Sequence, residues 1–313
     1  MTLAVIFPGQ GSQVVGMGRE LADAYPESRR VFEEVDDALG QKLSEVIWNG
    51  PEDALTLTAN AQPALMAVSL AALRAMEARG FDLGASAAFV AGHSLGEYSA
   101  LAATGSLSIA DAARLLRIRG DAMQAAVAPG EGAMAAILGL DHDALKAVCA
   151  EAGQGGVCQI ANDNGGGQIV ISGTKPAVEK AMEAAQAAGA KRAIALAVSA
   201  PFHSMLMQPA AERMAEALSG AALSAPRVPL VANVLASPIS DPEEIRARLV
   251  EQVTGQVRWR ESMSYLADGG VDLLIEVGSG KVLSGLAKRI DPRLSAISVG
   301  KPADIEPALA RLG

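Results

Sequence analysis

Between Gly132 and Val198 the chain changes rhythm, and that interruption limits its possible folds more than any other feature. The order there reads strand ("AMAAILGL"), helix (about 141–152), strand ("GVCQIAN") and a turn at 164–167. A strand ("QIVISG"), a helix (175–188) and a strand ("KRAIALAV") complete it. This is the βαββαβ order of a split βαβ, or ferredoxin-like, unit. On either side, apolar runs such as "LAVIF", "AAFVAG", "VPLVAN", "DLLIEVG" and "LSAISVG" alternate with helical stretches, including a buried-looking helix over 62–79. Strands alternating with helices predict a mainly parallel sheet covered on both faces. The expected fold class is therefore α/β, with a large domain formed by 1–128 and 199–313 and a small subdomain, 129–198, inserted in it.

A chain of 313 residues, half of them hydrophobic, can bury cores of this size. Aromatic residues make up only 3%, so the interior must be packed from small aliphatic side chains, which suits helices laid against a parallel sheet. The net charge of −9 argues against broad nucleic-acid binding, which depends on neutralising phosphates. Cys149 and Cys158 have no CxxC spacing and no histidine at ligand distance, so neither a metal site nor a disulfide framework is expected. The opening "MTLAVIFPGQG" reads as a strand entering a glycine turn rather than a leader, and the most apolar helix meets Arg74 too early to span a bilayer. A cytoplasmic protein without a membrane segment is expected.

"GHSLG", from Gly92 to Gly96, follows an apolar strand and precedes the helix-compatible "EYSALAATG". G-x-S-x-G in that setting holds a serine on a sharp, strained turn with its hydroxyl exposed, and the glycines avoid collisions with neighbouring strands. Ser94 is the candidate nucleophile. The N–H of Leu95, at the start of the following helix, can donate to a developing oxyanion. The same pattern without a reacting hydroxyl would be a structural turn.

Three histidines are available as base. Neighbouring residues on a strand point to opposite faces, so His93 should turn away from the Ser94 hydroxyl and brace the elbow. His142 lies in "GLDHDALK", the polar start of a helix capped by Asp141 or Asp143, and reads as a surface residue. His203 ends "AIALAVSAPFHS", where an apolar strand runs out at Pro201, the kind of place where sheet folds present catalytic groups. By elimination and position, His203 is the candidate general base. No carboxylate stands out to orient it: Glu97 is too near the elbow, and Asp163 sits in a glycine-rich turn of unknown direction.

In "SIADAARLLRIRGDAMQAAV", helical phase puts Ala112, Leu115, Leu116, Met123 and Ala126 on one apolar stripe and Arg114, Arg117 and Asp121 on the solvated side. Arg119 falls on the apolar stripe. A buried cation needs an anion, which is either a structural salt bridge within the fold or the carboxylate of a substrate held through two parallel hydrogen bonds. The first turn, "VIFPGQGSQ", has glycines at 9, 11 and 16, which is not the spacing of a dinucleotide fingerprint, so no nucleotide cofactor is expected. A tight turn there can instead aim the Gln10 N–H at the same point as that of Leu95.

Taken together, "FPGQGSQ", "NAQPALMAVSLA", "GHSLGEYSALAATGSLS", "RLLRIRGDAMQ", "VSAPFHS" and "EVGSGKVLSGLAKRI" resemble, in order, the malonyl-CoA:acyl-carrier-protein transacylases. The resemblance implies an α/β-hydrolase-like large domain with an inserted ferredoxin-like subdomain. It implies that Ser94 is acylated, His203 is the base, Arg119 binds the malonyl carboxylate, and the Gln10 and Leu95 N–H groups form the oxyanion hole. It also implies that a backbone carbonyl of Gln252, in "LVEQVTGQVRW", orients the histidine in place of an acid. Asn162, Met123 and Phe202 become candidate cleft residues, and Phe202 before the histidine resembles the malonyl-selective members. Ser279 departs from the proline many relatives carry.

The activity implied is transfer of malonyl from malonyl-CoA to the phosphopantetheine thiol of holo acyl carrier protein in fatty-acid synthesis, by a monomer without cofactor. A thioesterase or carboxylesterase, a polyketide acyltransferase and a non-catalytic carrier-binding protein are the alternatives. Acyl carrier protein is acidic, and so is this chain overall, so docking requires a local basic patch; Lys191–Arg192 and Lys288–Arg289 are the candidates. Ordinary solvated surface charge is the alternative for either pair.

Overall fold

The computed structural model describes residues 1–312. Its strands are β1 (Leu3–Phe7), β2 (Ala87–Gly92), β3 (Gly132–Leu138), β4 (Cys158–Gly165), β5 (Gln168–Thr174), β6 (Arg192–Ala195), β7 (Leu230–Ala232), β8 (Ser237–Ile239), β9 (Leu273–Val277) and β10 (Ser295–Val299). They form two sheets. The larger has the order β10-β9-β1-β2-β7-β8 and is parallel except at its edge, where β8 turns back on β7. The smaller, β4-β5-β3-β6, is antiparallel throughout and carries two helices, His142–Ala152 and Lys175–Ala187. The chain enters it after β2 and leaves it before β7.

β1 and β2 lie at the centre of the large sheet, and every residue of β1 is buried. The Thr58–Glu77 helix packs beneath them, with an apolar surface all round that only an interior helix can carry. It begins four residues before the expected 62. The N–H groups of Asn60 and Ala61 both donate to the Leu57 carbonyl, closing a turn ahead of Pro63. That proline forfeits a single helical bond. The strand expected over 191–198 is only four residues long. After Leu196 N–H bonds the Met134 carbonyl, Val198 N–H folds back on Leu196, and the chain turns toward Pro201.

The segment between the Pro242–Thr254 and Trp259–Asp268 helices lies along the β4 edge of the small sheet. β4 forms a parallel bridge with Val257, with Val257 N–H donating to Ala161 and Asp163 N–H to Val257. That segment covers an otherwise open strand edge. Asp163, nearly fully buried, pairs there with Arg260 at 2.8 Å, so it is committed to the junction and not to a histidine. Among the described residues no helix is long and apolar enough to cross a membrane.

Candidate active site

β1 and β2 end side by side, with Phe7 opposite Gly92, and the chain beyond β2 turns at once into the Gly96–Ala103 helix. The turn is tight enough to require both glycines. A Cβ on Gly96 would stand 2.4 Å from the Phe7 carbonyl oxygen, and one on Gly92 would fall 1.9 Å from the Gly96 carbonyl carbon. The first clash is with the neighbouring strand, as the sequence suggests; the second is with the elbow's own helix. Between them Ser94 takes φ 54°, a left-handed conformation that side chains other than glycine adopt only under constraint. The constraint is visible: Asn233, at the end of β7, accepts the Ser94 N–H at 2.8 Å and donates to the Gly92 carbonyl at 2.7 Å.

Ser94 Oγ lies 2.7 Å from His203 Nε2. The His203 Nδ1–H is shared between the carbonyls of Gln252 (2.9 Å) and Gly255 (3.2 Å), which fixes the tautomer and leaves Nε2 as the acceptor. His203 too has a left-handed backbone, φ 56°, held by Ser204 Oγ bonding the Pro201 carbonyl. Burial, then the nearby Arg119 charge, pushes its pKa down to about 3, while its carbonyl partners act the other way. At neutral pH the ring is uncharged and able to take a proton.

This burial has a testable consequence. Between about 3 and 6.5 the unfolded chain binds a proton at this residue that the folded chain does not. Stability therefore falls as pH drops through that window. The thermal stability of wild type relative to His203→Gln should decline from pH 7 to pH 4. A constant difference would mean the histidine titrates normally.

Arg119 reaches the same point from the Ile109–Ala125 helix. It is 2% exposed, and no carboxylate lies within ion-pair distance of it among the described residues. The salt-bridge reading of this arginine is thereby excluded. Its Nη1 donates to Gln62 Oε1 at 2.8 Å, and its Nη2 to Gln252 Oε1 at 2.9 Å and Ser94 Oγ at 3.1 Å. The buried Nε–H has no partner. Burial depresses the guanidinium pKa, with Tyr98 and Glu97 acting the other way, and the Tyr98 ring lies 5.9 Å from its central carbon. A cation held by neutral amides and one hydroxyl is poised for an anion from outside.

The cleft around these atoms has a volume of about 440 Å³. Gln10 and Leu95 line it, and neither N–H donates to any described protein group. The N–H of Ser94 is already taken by Asn233, so Leu95 supplies the free one at the elbow. Met123, Phe202 and Asn162 also line the cleft. His93 makes no hydrogen bond to the Ser94 hydroxyl, though it lines the same cleft. Its ring bonds Asn164 Oδ1 at 2.9 Å, tilts against Trp259 and blocks any side chain at Gly9, so it ties the elbow to the small sheet. His142 is half-buried rather than on the open surface, its ring 3.5 Å from Gln256 Nε2. Arg117, expected to be solvated, is also half-buried, with two guanidinium nitrogens enclosed by protein. Ser279 donates to the Ser12 carbonyl at 2.7 Å, so the serine at this departure ties two loops together. No group of metal-binding side chains occurs among the described residues.

Four contributors were not foreseen: Gln62, Glu97, Asn233 and Gly255. Gln62, Glu97 and Asn233 are polar residues inside apolar runs, which is itself a signal, because a buried polar group needs a partner. Gly255 contributes only its carbonyl, and nothing in the sequence marks that.

A strained serine, a neutral histidine bonded to it, two free N–H groups and a buried cation beside them are groups chemically suited to passing an acyl group through a serine ester. The chain belongs to the acyl transferase domain family, whose pattern it matches over residues 4–289. It is 49% identical to the malonyl CoA-acyl carrier protein transacylase of Bacillus subtilis, over 99% of this chain and 97% of that one. It superposes on the crystal structure of acyl-carrier-protein-S-malonyltransferase from Bartonella henselae with a TM-score of 0.98 and 59% identity, covering 100% of both chains. A second similar structure is a type II PKS acyl-carrier protein in complex with its malonyl-transacylase, at a TM-score of 0.96 and 44% identity, covering 99% of this chain and 100% of that one.

Proposed function

We propose that this enzyme transfers malonyl from malonyl-CoA to the phosphopantetheine thiol of acyl carrier protein, through a malonyl ester on Ser94. The observation that carries the reading is Arg119, a buried cation without a carboxylate partner, 3.1 Å from the elbow hydroxyl. A hydrolase of neutral esters has no use for it. In the first half-reaction His203 Nε2 takes the Ser94 proton as Oγ attacks the thioester carbon. The oxyanion is held by the Gln10 and Leu95 N–H groups, and the C–S bond breaks as His203 returns the proton to the coenzyme A thiolate. In the second, the carrier thiol gives its proton to His203 and attacks the Ser94 ester; the C–O bond breaks and Oγ regains the proton.

Malonyl is chosen by charge, with the Arg119 guanidinium meeting the free carboxylate. Phe202 and Met123 limit the space around the acyl group, and Asn162 supplies a polar side chain from the small sheet. All these groups come from one chain, in keeping with a monomer, and we take 129–198 as an inserted subdomain forming one wall of the cleft.

The test is intact-mass spectrometry of the protein with malonyl-CoA, with and without holo acyl carrier protein. A malonyl adduct that moves to the carrier is expected. An adduct that decays to free malonate would mean a hydrolase, and an adduct from neutral acyl-CoA alone would overturn the substrate.

The two basic pairs support a docking site for the acidic carrier. Lys191 packs over Gly139, whose N–H bonds the Gly167 carbonyl at 2.9 Å, and Arg289 packs over Gly166. Both pairs are exposed and bracket the same β4–β5 turn, beside Asn164 at the cleft. Reversing all four charges should raise KM for the carrier about tenfold at low salt and leave KM for malonyl-CoA unchanged. If both constants move together, the docking site lies elsewhere.

A further inference from the structure

Glu97 lies in the first turn of the helix after the elbow and is 1% exposed. It touches neither the reacting serine hydroxyl nor the base, and the chemistry above gives it no task. Its two oxygens are both offered donors. Oε1 accepts the Asn233 N–H at 2.6 Å, and Oε2 accepts from Gln252 Nε2.

Gln252 is the hub of the site. Its backbone carbonyl takes the His203 Nδ1–H, and its side chain sits wholly buried between Glu97 and Arg119. The amide has two possible orientations, and its neighbours distinguish them. Nε2 faces three acceptors: Glu97, the Ser94 carbonyl (3.0 Å) and Asn233 Oδ1 (3.4 Å). Oε1 faces only the Arg119 Nη2, at 2.9 Å. A flipped amide would press its NH2 against a guanidinium and its oxygen against three other oxygens.

We propose that Glu97 is a positioning residue for malonyl selection: it fixes the orientation of the Gln252 amide, which in turn aims the Arg119 guanidinium at the acyl group. Three facts support this. The Asn233 N–H belongs to the backbone at the end of β7 and cannot rotate away, so one Glu97 oxygen is permanently committed to it. The other oxygen is left for Gln252. Tyr98 and, when ionised, Glu97 also favour the protonated Arg119. Burial raises the Glu97 pKa to about 8, against the pull of Asn233, Gln252 and Arg119, so the variants are compared above that pH, where both oxygens accept.

Glu97→Gln tests the orientation with almost no change of shape. The new amide must keep its oxygen on the fixed Asn233 N–H, which turns its NH2 toward the Gln252 NH2. Two donors then meet. Gln252 either flips, losing Arg119 and the Ser94 carbonyl, or is pushed aside. Its backbone carbonyl stays in the Pro242–Thr254 helix, so His203 keeps its orientation. The loss should therefore concern the carboxylate-bearing substrate more than a neutral one.

The inference rests on the malonyl reading, and the experiment separates the two. Ser94 acylation by malonyl-CoA and by acetyl-CoA would be followed in wild type, Glu97→Gln and Glu97→Asp. Glu97→Gln is expected to lower the malonyl-to-acetyl ratio of kcat/KM about tenfold, chiefly through KM for malonyl-CoA. Glu97→Asp, which keeps two acceptor oxygens, should retain more of that ratio. Equal losses for both substrates would make Glu97 a scaffold of the elbow only and overturn the proposal. So would an unchanged ratio, or an aspartate variant no better than the glutamine one. If Glu97→Gln fails to fold, Gln252→Met, which keeps the backbone carbonyl on His203 and removes the amide from Arg119, is expected to lower the same ratio, and an unchanged ratio overturns the proposal. Wild type that is not acylated by malonyl-CoA at all would overturn the functional reading first.

Discussion

Replacing Ser94 by alanine is expected to abolish the malonyl adduct and lower transfer to the carrier by about ten-thousand-fold or more, with the fold intact. The size of the effect follows from the role. Without Oγ no ester can form, and the remaining oxyanion donors could assist only a direct attack of one thiol on the other's thioester. The structural cost is small, because the Ser94 N–H and carbonyl keep their bonds to Asn233 and Gln252. Intact mass and steady-state transfer read the loss, and circular dichroism reads the fold. A variant that kept both adduct and transfer would place the acyl group on a different residue.

Arg119→Ala should act on selection rather than on chemistry. A charge-assisted bond to a carboxylate in a buried site is worth about 2–5 kcal/mol, so malonyl transfer should fall roughly 30- to 5,000-fold. Acetyl transfer should fall less, and the malonyl-to-acetyl preference should collapse or reverse. The variant also leaves Gln62 Oε1 and Gln252 Oε1 without the donor they share, so some stability is lost in addition. Competition between malonyl-CoA and acetyl-CoA in one reaction is the appropriate measurement, because a ratio is insensitive to how much protein is folded. Equal losses for both substrates would reduce Arg119 to a support for Ser94.

The elbow and the arginine were legible from sequence for different reasons. Ser94 sits in a local pattern whose strain and glycines are covalently close to it, so strand, turn and helix suffice to place it. Arg119 was visible as an error of helical phase: a cation on an apolar stripe must be explained by something outside the helix. What the sequence could not settle was whether that something lies in the fold or in the substrate. The tertiary contacts, with amides where a carboxylate could have been, remove the ion pair within the fold, and the substrate's carboxylate is the reading we propose.

The contacts that hold the site together were harder to read. Gln62, Asn233 and Glu97 come from a long buried helix, the end of a short strand and the elbow helix. Each could be suspected as polar in apolar surroundings, but Gln62 meets Arg119 57 residues away, and Asn233 and Glu97 meet Ser94 and Gln252 from farther still. The ends of the Thr58–Glu77 helix and of β6 were misread because local propensity gave way to bonds the sequence does not display. The smaller sheet, by contrast, was plain from its order of elements, since six short elements in succession leave few ways to pair.

Ser94 and His203 share a backbone conformation that suits glycine, at φ 54° and 56°. For any other residue it costs on the order of 1 kcal/mol or more. Mutational tolerance and activity must therefore diverge at these two places. Where side-chain contacts permit, glycine would relax the backbone that the reacting groups keep tense. With the roles proposed for Ser94 and His203, a selection for heat resistance alone would drift toward an inert protein here, so any library screened for stability has to exclude both positions or be scored for turnover at the same time.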